Sequence, residues 1–123
     1  MNKVIISGRF TKDPEIRYTQ SKKAIASFRL AVDDGKGKDG EKKAQFIDFE
    51  AWEARAELID RYFTKGDPVQ IIGKVVSENW TDKDGNKRTT TKVRVESIEW
   101  PLQKAKKEEG FEELDDTDAE LPF

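Results

Sequence analysis

Three large aromatic side chains, Phe46, Trp52 and Trp80, stand in stretches that are also rich in lysine and arginine. Aromatic rings stack on unpaired bases with a gain of roughly 1–3 kcal/mol per base, and cations follow the phosphates of the same strand. These residue types therefore favour the binding of a single-stranded nucleic acid. The basic residues that we assign to its phosphates are Lys3, Arg9, Arg17, Arg29, Lys74, Lys83, Lys87, Arg88 and Lys92.

Residues that could carry out catalysis are scarce in this sequence. It contains no cysteine and no histidine, which removes thiolate chemistry, disulfides, the commonest general base and the commonest metal ligand. No glycine-rich loop precedes a helix in the way that phosphate-cradling loops require. The acidic run "DDTDAE" near the C-terminus offers no preset coordination geometry. We therefore expect a binding protein that has no enzymatic activity and needs no metal or cofactor.

The net charge of −2 hides an uneven distribution of charge along the chain. Residues 108–123 contain eight acidic residues and no basic one, so all 23 lysines and arginines lie in the body that precedes them. A basic body predicts a polyanionic partner, and an acidic segment so poor in apolar residues does not fold by itself. We therefore divide the chain into a domain, residues 1–101, and a flexible acidic tail, residues 102–123.

Strands that alternate apolar and polar residues must position the aromatic and basic side chains. The sequence predicts strands over 3–10, 24–32, 45–52, 68–80 and 88–100, and a helix over 53–64. Three strands, one helix and two strands in this order predict an all-β fold, a five-stranded OB-fold barrel with the helix between strands three and four. An open five-stranded sheet with one helix competes with the barrel, and periodicity alone does not separate the two.

The connections between these elements carry their own signals. Gly8 predicts a bulge or bend in the first strand, and the Asp-Pro pair in "KDPEIRY" predicts a turn-initiated connection after it. The glycine- and lysine-rich run "DDGKGKDGEKK", residues 33–43, predicts a mobile loop. Gly66 suits the left-handed cap of the helix, and Pro68 prevents the helix from continuing. The run "TDKDGNK" predicts a hairpin loop.

The alternation also predicts which side chains face the core. Ile47, Phe49 and Ala51 should point inward, together with Val69, Ile71, Gly73, Val75, Val93 and Val95. The opposite rows then place outside Phe46, Asp48, Glu50, Trp52, Lys74, Trp80, Arg88, Thr90, Lys92 and Arg94. One outer surface thus collects aromatics and cations. The alternatives are that Trp80 covers the end of the barrel and that Phe46 and Trp52 are buried against another subunit.

Several motifs in order resemble the bacterial single-stranded DNA-binding proteins. They are "MNKVIISGRFTKDPEIRYTQSKKAIASFRLAV", "DFEAW", a helix ending in "KGD", "VQIIGKV", "NWTDKDGNKRTTTKV" and an acidic tail ending in Leu-Pro-Phe. The resemblance covers essentially the whole chain. It implies an OB-fold homotetramer that wraps single-stranded DNA with little sequence preference, with Phe46, Trp52 and Trp80 as the stacking residues. It also implies a C-terminal tip that docks replication, recombination and repair enzymes, formed by Asp118, Ala119, Glu120, Leu121, Pro122 and Phe123.

The chain departs from the pattern of that family in three places. Asp48 and Glu50 stand on a face where family members often carry neutral or basic residues, so the affinity or the binding mode should differ. The region of Asp33 and Asp34 lacks the further stacking aromatic that many relatives have. The linker before the tip is short, which would suit a bacteriophage or mobile-element version.

Two other functions remain open on the residues alone. An RNA-binding OB module would present nearly the same face, and a protein-interaction module would bury the outer aromatics at an interface. The sequence shows no signal peptide and no apolar run approaching the roughly 18 residues that a membrane span requires. We therefore expect a cytoplasmic protein.

Overall fold

The computed structural model describes residues 1–99, and the strands and the helix follow the predicted order. The bounds of the elements are β1 Val4–Phe10, β2 Glu15–Tyr18, β3 Ala24–Lys36, β4 Lys42–Trp52, α1 Ala54–Tyr62, β5 Pro68–Thr81 and β6 Lys87–Glu99. The predicted tail, including the tip residues 118–123, lies outside the described residues. No helix in the described range is long and apolar enough to span a bilayer.

Within residues 1–99 the sheet closes on itself. The strands follow the order β1, β5, β6, β4 and β3, and β3 pairs back onto β1 through Arg9 opposite Ala31 and Phe10 opposite Leu30. The β4–β6 pairing is parallel, and the other pairings are antiparallel. The prediction of an OB-fold barrel with one helix between its third and fourth strands is confirmed, and the open sheet is excluded.

The chain between β1 and β3 is more ordered than the sequence predicted. Residues 15–18 form the short strand β2, which pairs with β3 from Glu15 opposite Ser27 to Tyr18 opposite Ala24. Ile16 in this strand packs against the core, which gives the segment an apolar reason to lie flat on β3. The prediction of a turn-initiated connection was therefore only partly right, because residues 15–18 extend the sheet.

The predicted loop over 33–43 is also shorter than expected. β3 continues to Lys36 and β4 begins at Lys42, so the connection itself covers 37–41. The two strands remain paired at Asp33 opposite Ala44 and at Lys36 opposite Lys42, with a register shift between these pairs. Backbone hydrogen bonds extend a hairpin regardless of the polarity of its side chains, and composition alone therefore overestimated the loop.

A column of four phenylalanine rings forms the centre of the core. The ring of Phe10 lies 5.2 Å from that of Phe63 and 4.9 Å from that of Phe28, and Phe28 stacks on Phe49 at 5.2 Å. Leu30, Ile59, Val69 and Ile71 surround this column and are fully buried. Because Phe49 and Phe28 come from β4 and β3 while Phe63 follows α1, the column joins the helix to the barrel.

The predicted inward row is confirmed with one exception. Phe49, Ala51, Val69, Ile71, Val93 and Val95 are buried, and Ile47 is half-buried against the core. Val75, however, is 41% exposed, so its assignment to the interior was wrong. The pairing of β5 with β1 ends at Gly73 opposite Val4, and beyond it β5 pairs with β6 as a projecting hairpin. Val75 therefore continues the inward row of β5 but is not buried, because the barrel has ended at this point of the strand.

Gly66 does not cap the helix, contrary to the prediction. α1 ends at Tyr62, and the cap residue Phe63 is extended while its N–H donates to the carbonyl oxygen of Ile59. Gly66 has a φ of 89°, but it lies in the following turn, where its N–H donates to the carbonyl oxygen of Phe10. Gly66 has the left-handed conformation that the sequence predicts, but it lies three residues after the cap residue Phe63.

Gly8 lies at a close crossing of strands and not at a bulge. The register of β1 with β5 runs without a break through Gly8, so of the two predicted alternatives, a bulge or a bend, the bulge was wrong. A Cβ atom at this position would lie 2.7 Å from the carbonyl oxygen of Ala31, closer than any side chain tolerates. Glycine therefore allows β1 to approach β3 at the point where the barrel closes.

Candidate nucleic-acid interface

The outer side of the barrel presents two of the three predicted stacking rings to solvent. Phe46 in β4 is 62% exposed, and Trp80 in the β5–β6 hairpin is 49% exposed. The indole Nε1 of Trp80 donates to the hydroxyl of Thr90 at 2.8 Å, which fixes the ring against the neighbouring strand. Both rings therefore offer an accessible apolar face from rigid backbone positions.

Trp52, the third predicted ring, is more restricted. It is half-buried, and the guanidinium carbon of Arg94 lies over its ring at 5.4 Å from the centroid. Its Nε1 donates to Oε1 of Glu50 at 2.9 Å. One ring face of Trp52 is therefore covered by Arg94.

Glu50 is the centre of an ionic cluster that the sequence did not predict. Its side chain is only 4% exposed, although it lies on the outer row as expected. Lys92 Nζ donates to Oε2 at 2.7 Å and Arg94 Nη2 donates to Oε1 at 3.0 Å, while Arg17 Nη2 lies 3.7 Å from Oε2. Glu78 contributes a second carboxylate, 3.0 Å from Lys92 and 3.6 Å from Arg94.

Glu50 and Lys92 are both charged at neutral pH. Burial alone would raise the pKa of the Glu50 carboxyl, but the hydrogen bonds that it accepts, foremost that from Lys92, hold this pKa below its ordinary value. Burial would likewise lower the pKa of Lys92, and its bonds to Glu50 and Glu78 instead raise it. The cluster is therefore a set of mutually neutralising ions rather than a group of free cations.

Two further pairs on this side engage predicted phosphate ligands. Arg29 Nε donates to Oδ1 of Asp48 at 2.7 Å, and Arg29 Nη2 donates to Oδ2 at 3.3 Å, which is a bidentate contact between exposed side chains. Lys3 Nζ donates to Glu96 at 2.7 Å. Exposed pairs of this kind contribute little stability.

A groove of about 470 Å³ runs beside the Arg29–Asp48 pair and the Glu50 cluster. Arg17, Arg29, Lys92, Asp48 and Glu50 are among the residues that line it. The structure therefore brings three of the predicted basic residues together along one groove, and three carboxylates, Glu15, Asp48 and Glu50, line the same groove.

The turn of the β5–β6 hairpin is shaped by Asp82. Its Oδ1 accepts the backbone N–H groups of Asp84 and Asn86, both at 2.9 Å, and its Oδ2 accepts Nε of Arg88 at 2.9 Å. The hydrogen bonds from Asn86 and Arg88 lower the pKa of Asp82. Lys83 and Lys87 are exposed on the same turn, beside the groove that Trp80 lines with Lys87 and Arg88.

A second basic groove lies at the closure of the barrel, and sequence analysis found only one member of it. Arg9 lines it together with Lys36, Lys42 and Lys43, and Arg9 Nη1 donates to the carbonyl oxygen of Gly66 at 3.1 Å. Ala31 pairs with Arg9 on one side and with Phe46 on the other, so the groove lies beside an exposed ring. The lysines were missed because they were assigned to a loop and not to paired strands.

The remaining assignments fall at the edge of this surface or outside the structure's description. Lys74 is half-buried and stands opposite Arg94 in the β5–β6 register. Arg94 itself was placed on the outer row but was not included among the phosphate ligands. Among the described residues no group of acidic side chains gathers in a way that would hold a metal ion. The predicted tip residues lie outside the described part of the chain.

The barrel carries exposed aromatic rings and cations on β3, β4 and the β5–β6 hairpin. An OB-fold barrel with such a surface has the features of the oligonucleotide-binding class. Residues 1–101 match the family model of the single-strand binding protein family. The chain belongs to this family.

Curated relatives agree with that assignment. The chain is 43% identical over 102 residues to the single-stranded DNA-binding protein of Deinococcus radiodurans, a match that covers 80% of this chain and 34% of that protein. It is 36% identical over 115 residues to the single-stranded DNA-binding protein of Clostridium tetani, covering 90% of this chain and 79% of the relative. Single-stranded DNA-binding protein 2 of Listeria monocytogenes is 37% identical over 111 residues, with 89% and 69% covered. The chain thus spans about a third of the Deinococcus protein.

Proposed function

We propose that this protein binds single-stranded DNA with little sequence preference and protects it. The observation that carries the proposal is the presence of two exposed rings, Phe46 and Trp80, on an outer surface that also carries basic grooves. Its relatives in the single-strand binding protein family carry names that state the same ligand. Binding rather than catalysis is the proposed activity, and the cytoplasm is its proposed location.

The proposed mechanism divides the work between rings and cations. Bases stack on Phe46 and Trp80, and on the uncovered face of Trp52, because every base has a π-face and the contact is tolerant of sequence. Phosphates contact the groove of Arg9, Lys36, Lys42 and Lys43 and the exposed lysines of the β5–β6 turn. Affinity should fall with salt concentration, since each phosphate contact releases counterions.

A homo-oligomer, with a tetramer as the expected size, is part of this proposal. Ile5 in β1 is 65% exposed, and Val75 in the neighbouring strand β5 is also exposed. Association would remove this apolar surface from water, and light scattering on the full chain would measure the number of subunits. A monomer at micromolar concentration would contradict this part of the proposal.

The division into a DNA-binding domain, residues 1–101, and a partner-binding tail, residues 102–123, is proposed as well. The tip from Asp118 to Phe123 would dock replication, recombination and repair enzymes through an apolar end and a terminal carboxylate. Removing Phe123 should abolish the capture of purified replication and repair enzymes and leave DNA binding unchanged. Asp116→Asn, outside the tip, serves as the control. Undiminished capture after removal of Phe123 would contradict the assignment.

Competition between nucleic acids tests the ligand class. A labelled oligo(dT) bound at low salt should be displaced by unlabelled oligo(dT) at concentrations at least tenfold lower than by poly(U) or by duplex DNA of equal length. Poly(U) that competes equally well or better would favour the RNA-binding module. A protein that forms an oligomer but binds none of the three would favour the protein-interaction module.

A further inference from the structure

The Glu50 cluster is unexpected on a surface that should bind an anion. The Glu50 side chain is almost fully buried at 4% exposure, and its carboxylate accepts from Lys92 at 2.7 Å and from Arg94 at 3.0 Å, with Arg17 at 3.7 Å. A buried carboxylate must be paired with cations, and Glu50 takes its partners from β2 and β6. Arg17 and Lys92 line the same groove as Glu50, so a phosphate that entered this groove would meet both the cations and the carboxylate.

The carboxylate satisfies these cations in the way that a phosphate would. Arginine and lysine bind carboxylate and phosphate oxygens through the same charge-assisted hydrogen bonds. One donor is still unused, because Nε of Arg94 is buried without a hydrogen-bond partner among the described residues. Three cations face two carboxylates, so the cluster keeps one excess positive charge and one unused donor, which is the condition expected if another anion can compete with Glu50.

We propose that Glu50 is an internal counter-ion that holds Lys92, Arg94 and Arg17 in place and restrains their contact with the DNA backbone. This inference rests on the proposed function. A bound strand competes with Glu50 for these cations, so the affinity is lower than the number of basic residues would give. Glu50 is thus a positioning residue, and Glu78, which contacts two of the same cations from a half-exposed position, has a smaller share in the effect.

The substitution Glu50→Gln tests the proposal, because glutamine keeps the shape of the side chain and removes its charge. Without that charge, only Glu78 remains to balance the three neighbouring cations. These cations should therefore interact more strongly with a phosphate of the bound strand. Oligo(dT) should therefore bind about tenfold more tightly at low salt, and the slope of log K against log salt should steepen by about 0.7 for each additional phosphate neutralised. Fluorescence anisotropy across a salt series measures both quantities.

A thermal measurement separates this role from a purely structural one. The free Glu50→Gln protein should melt at a lower temperature than the wild type, because its cations repel one another. Saturating oligo(dT) should then raise the melting temperature of the variant by more than that of the wild type. If the role of Glu50 were purely structural, the free variant would still melt at a lower temperature. Oligo(dT) would then raise its melting temperature by no more than that of the wild type.

Glu78→Gln is the matched control. Glu78 contacts Lys92 and Arg94, two of the three cations that Glu50 contacts, from a half-exposed position. The substitution should tighten binding by no more than about threefold, because solvent screens an exposed pair. Equal or weaker binding by a folded Glu50→Gln protein, or an equal gain for Glu78→Gln, would overturn the proposal.

A second comparison covers the case in which Glu50→Gln fails to fold. Lys92→Gln and the double variant Glu50→Gln/Lys92→Gln remove the buried ions as a pair. Tighter binding by the double variant than by Lys92→Gln supports the proposal, and equal or weaker binding overturns it. Wild-type protein that does not bind oligo(dT) at low salt would overturn the proposed function as well. Wild-type binding without the expected gain would overturn the counter-ion alone.

Discussion

The double variant Phe46→Ala/Trp80→Ala should bind oligo(dT) about 2–6 kcal/mol more weakly than the wild type, since each stacked base contributes roughly 1–3 kcal/mol. Both rings are exposed and held by regular strands, so their removal should not alter the barrel. Each single variant should show part of the loss. Titration of a labelled oligo(dT) at fixed salt measures the three affinities, and the full cycle shows whether the two rings act independently.

Two kinds of control isolate the stacking contribution. Trp80→Phe keeps an aromatic face and should retain most of the affinity. Tyr62→Ala removes a partly exposed aromatic ring from α1 rather than from the strands, and it should leave the affinity unchanged. Wild-type affinity in the double variant would show that the rings are not the stacking surface. Loss of the oligomer in the double variant would instead identify them as interface residues.

Phe49→Ala should lower the free energy of unfolding by about 3–5 kcal/mol, as expected for removing a buried phenylalanine ring. Phe49 is 2% exposed and stacks on Phe28 at 5.2 Å, so the cavity would open inside the aromatic column. The neighbouring residues Asp48 and Glu50 point to the outer surface, and the same substitution should therefore loosen the groove that they line. Urea unfolding followed by circular dichroism, at equal protein concentrations, measures the loss.

Phe46→Ala is a matched control for this stability prediction. It is the same substitution in the same strand, three residues away and on the opposite face. Because Phe46 is 62% exposed, the change in unfolding free energy should stay within about 0.5 kcal/mol. Equal losses for Phe46→Ala and Phe49→Ala would contradict the assignment of inner and outer rows. The large loss of stability should thus fall on Phe49→Ala, and the direct loss of a stacking contact on Phe46→Ala.

Alternation along single strands was sufficient to predict the two faces of β4. The period of two placed Phe49 inside and Phe46 outside, and the order of elements favoured the barrel while leaving an open sheet as the alternative. Errors occurred where a residue's burial depends on how far a neighbouring strand extends. Val75 continues the inward row of β5, but its partner strand β1 has ended. The composition around Lys36 and Lys42 predicts a loop. Backbone pairing instead places both residues in a hairpin.

The ionic cluster was beyond reach of the sequence for a related reason. Glu50 could be placed on the outer row, where it counted against an anionic ligand. Its partners Lys92 and Arg94 lie 42 and 44 residues later, and the parallel pairing of β4 with β6 is what brings them together. The half-covered ring of Trp52 follows from the same contact. A signal was present, since an acid on the same outer surface as the cations of other strands needs partners, but the partners could be named only once the barrel was closed.

A titration of tryptophan fluorescence with oligo(dT), repeated over a range of salt concentrations, tests the central claim most directly. Strong quenching at low salt is expected, with most of it lost in Trp80→Phe, and the logarithm of the binding constant should fall linearly with the logarithm of the salt concentration. That result would place bases against the indole rings and count the phosphates that are neutralised. Unchanged fluorescence of the folded protein at low salt would contradict the claim and would assign the outer aromatics to an interaction with protein.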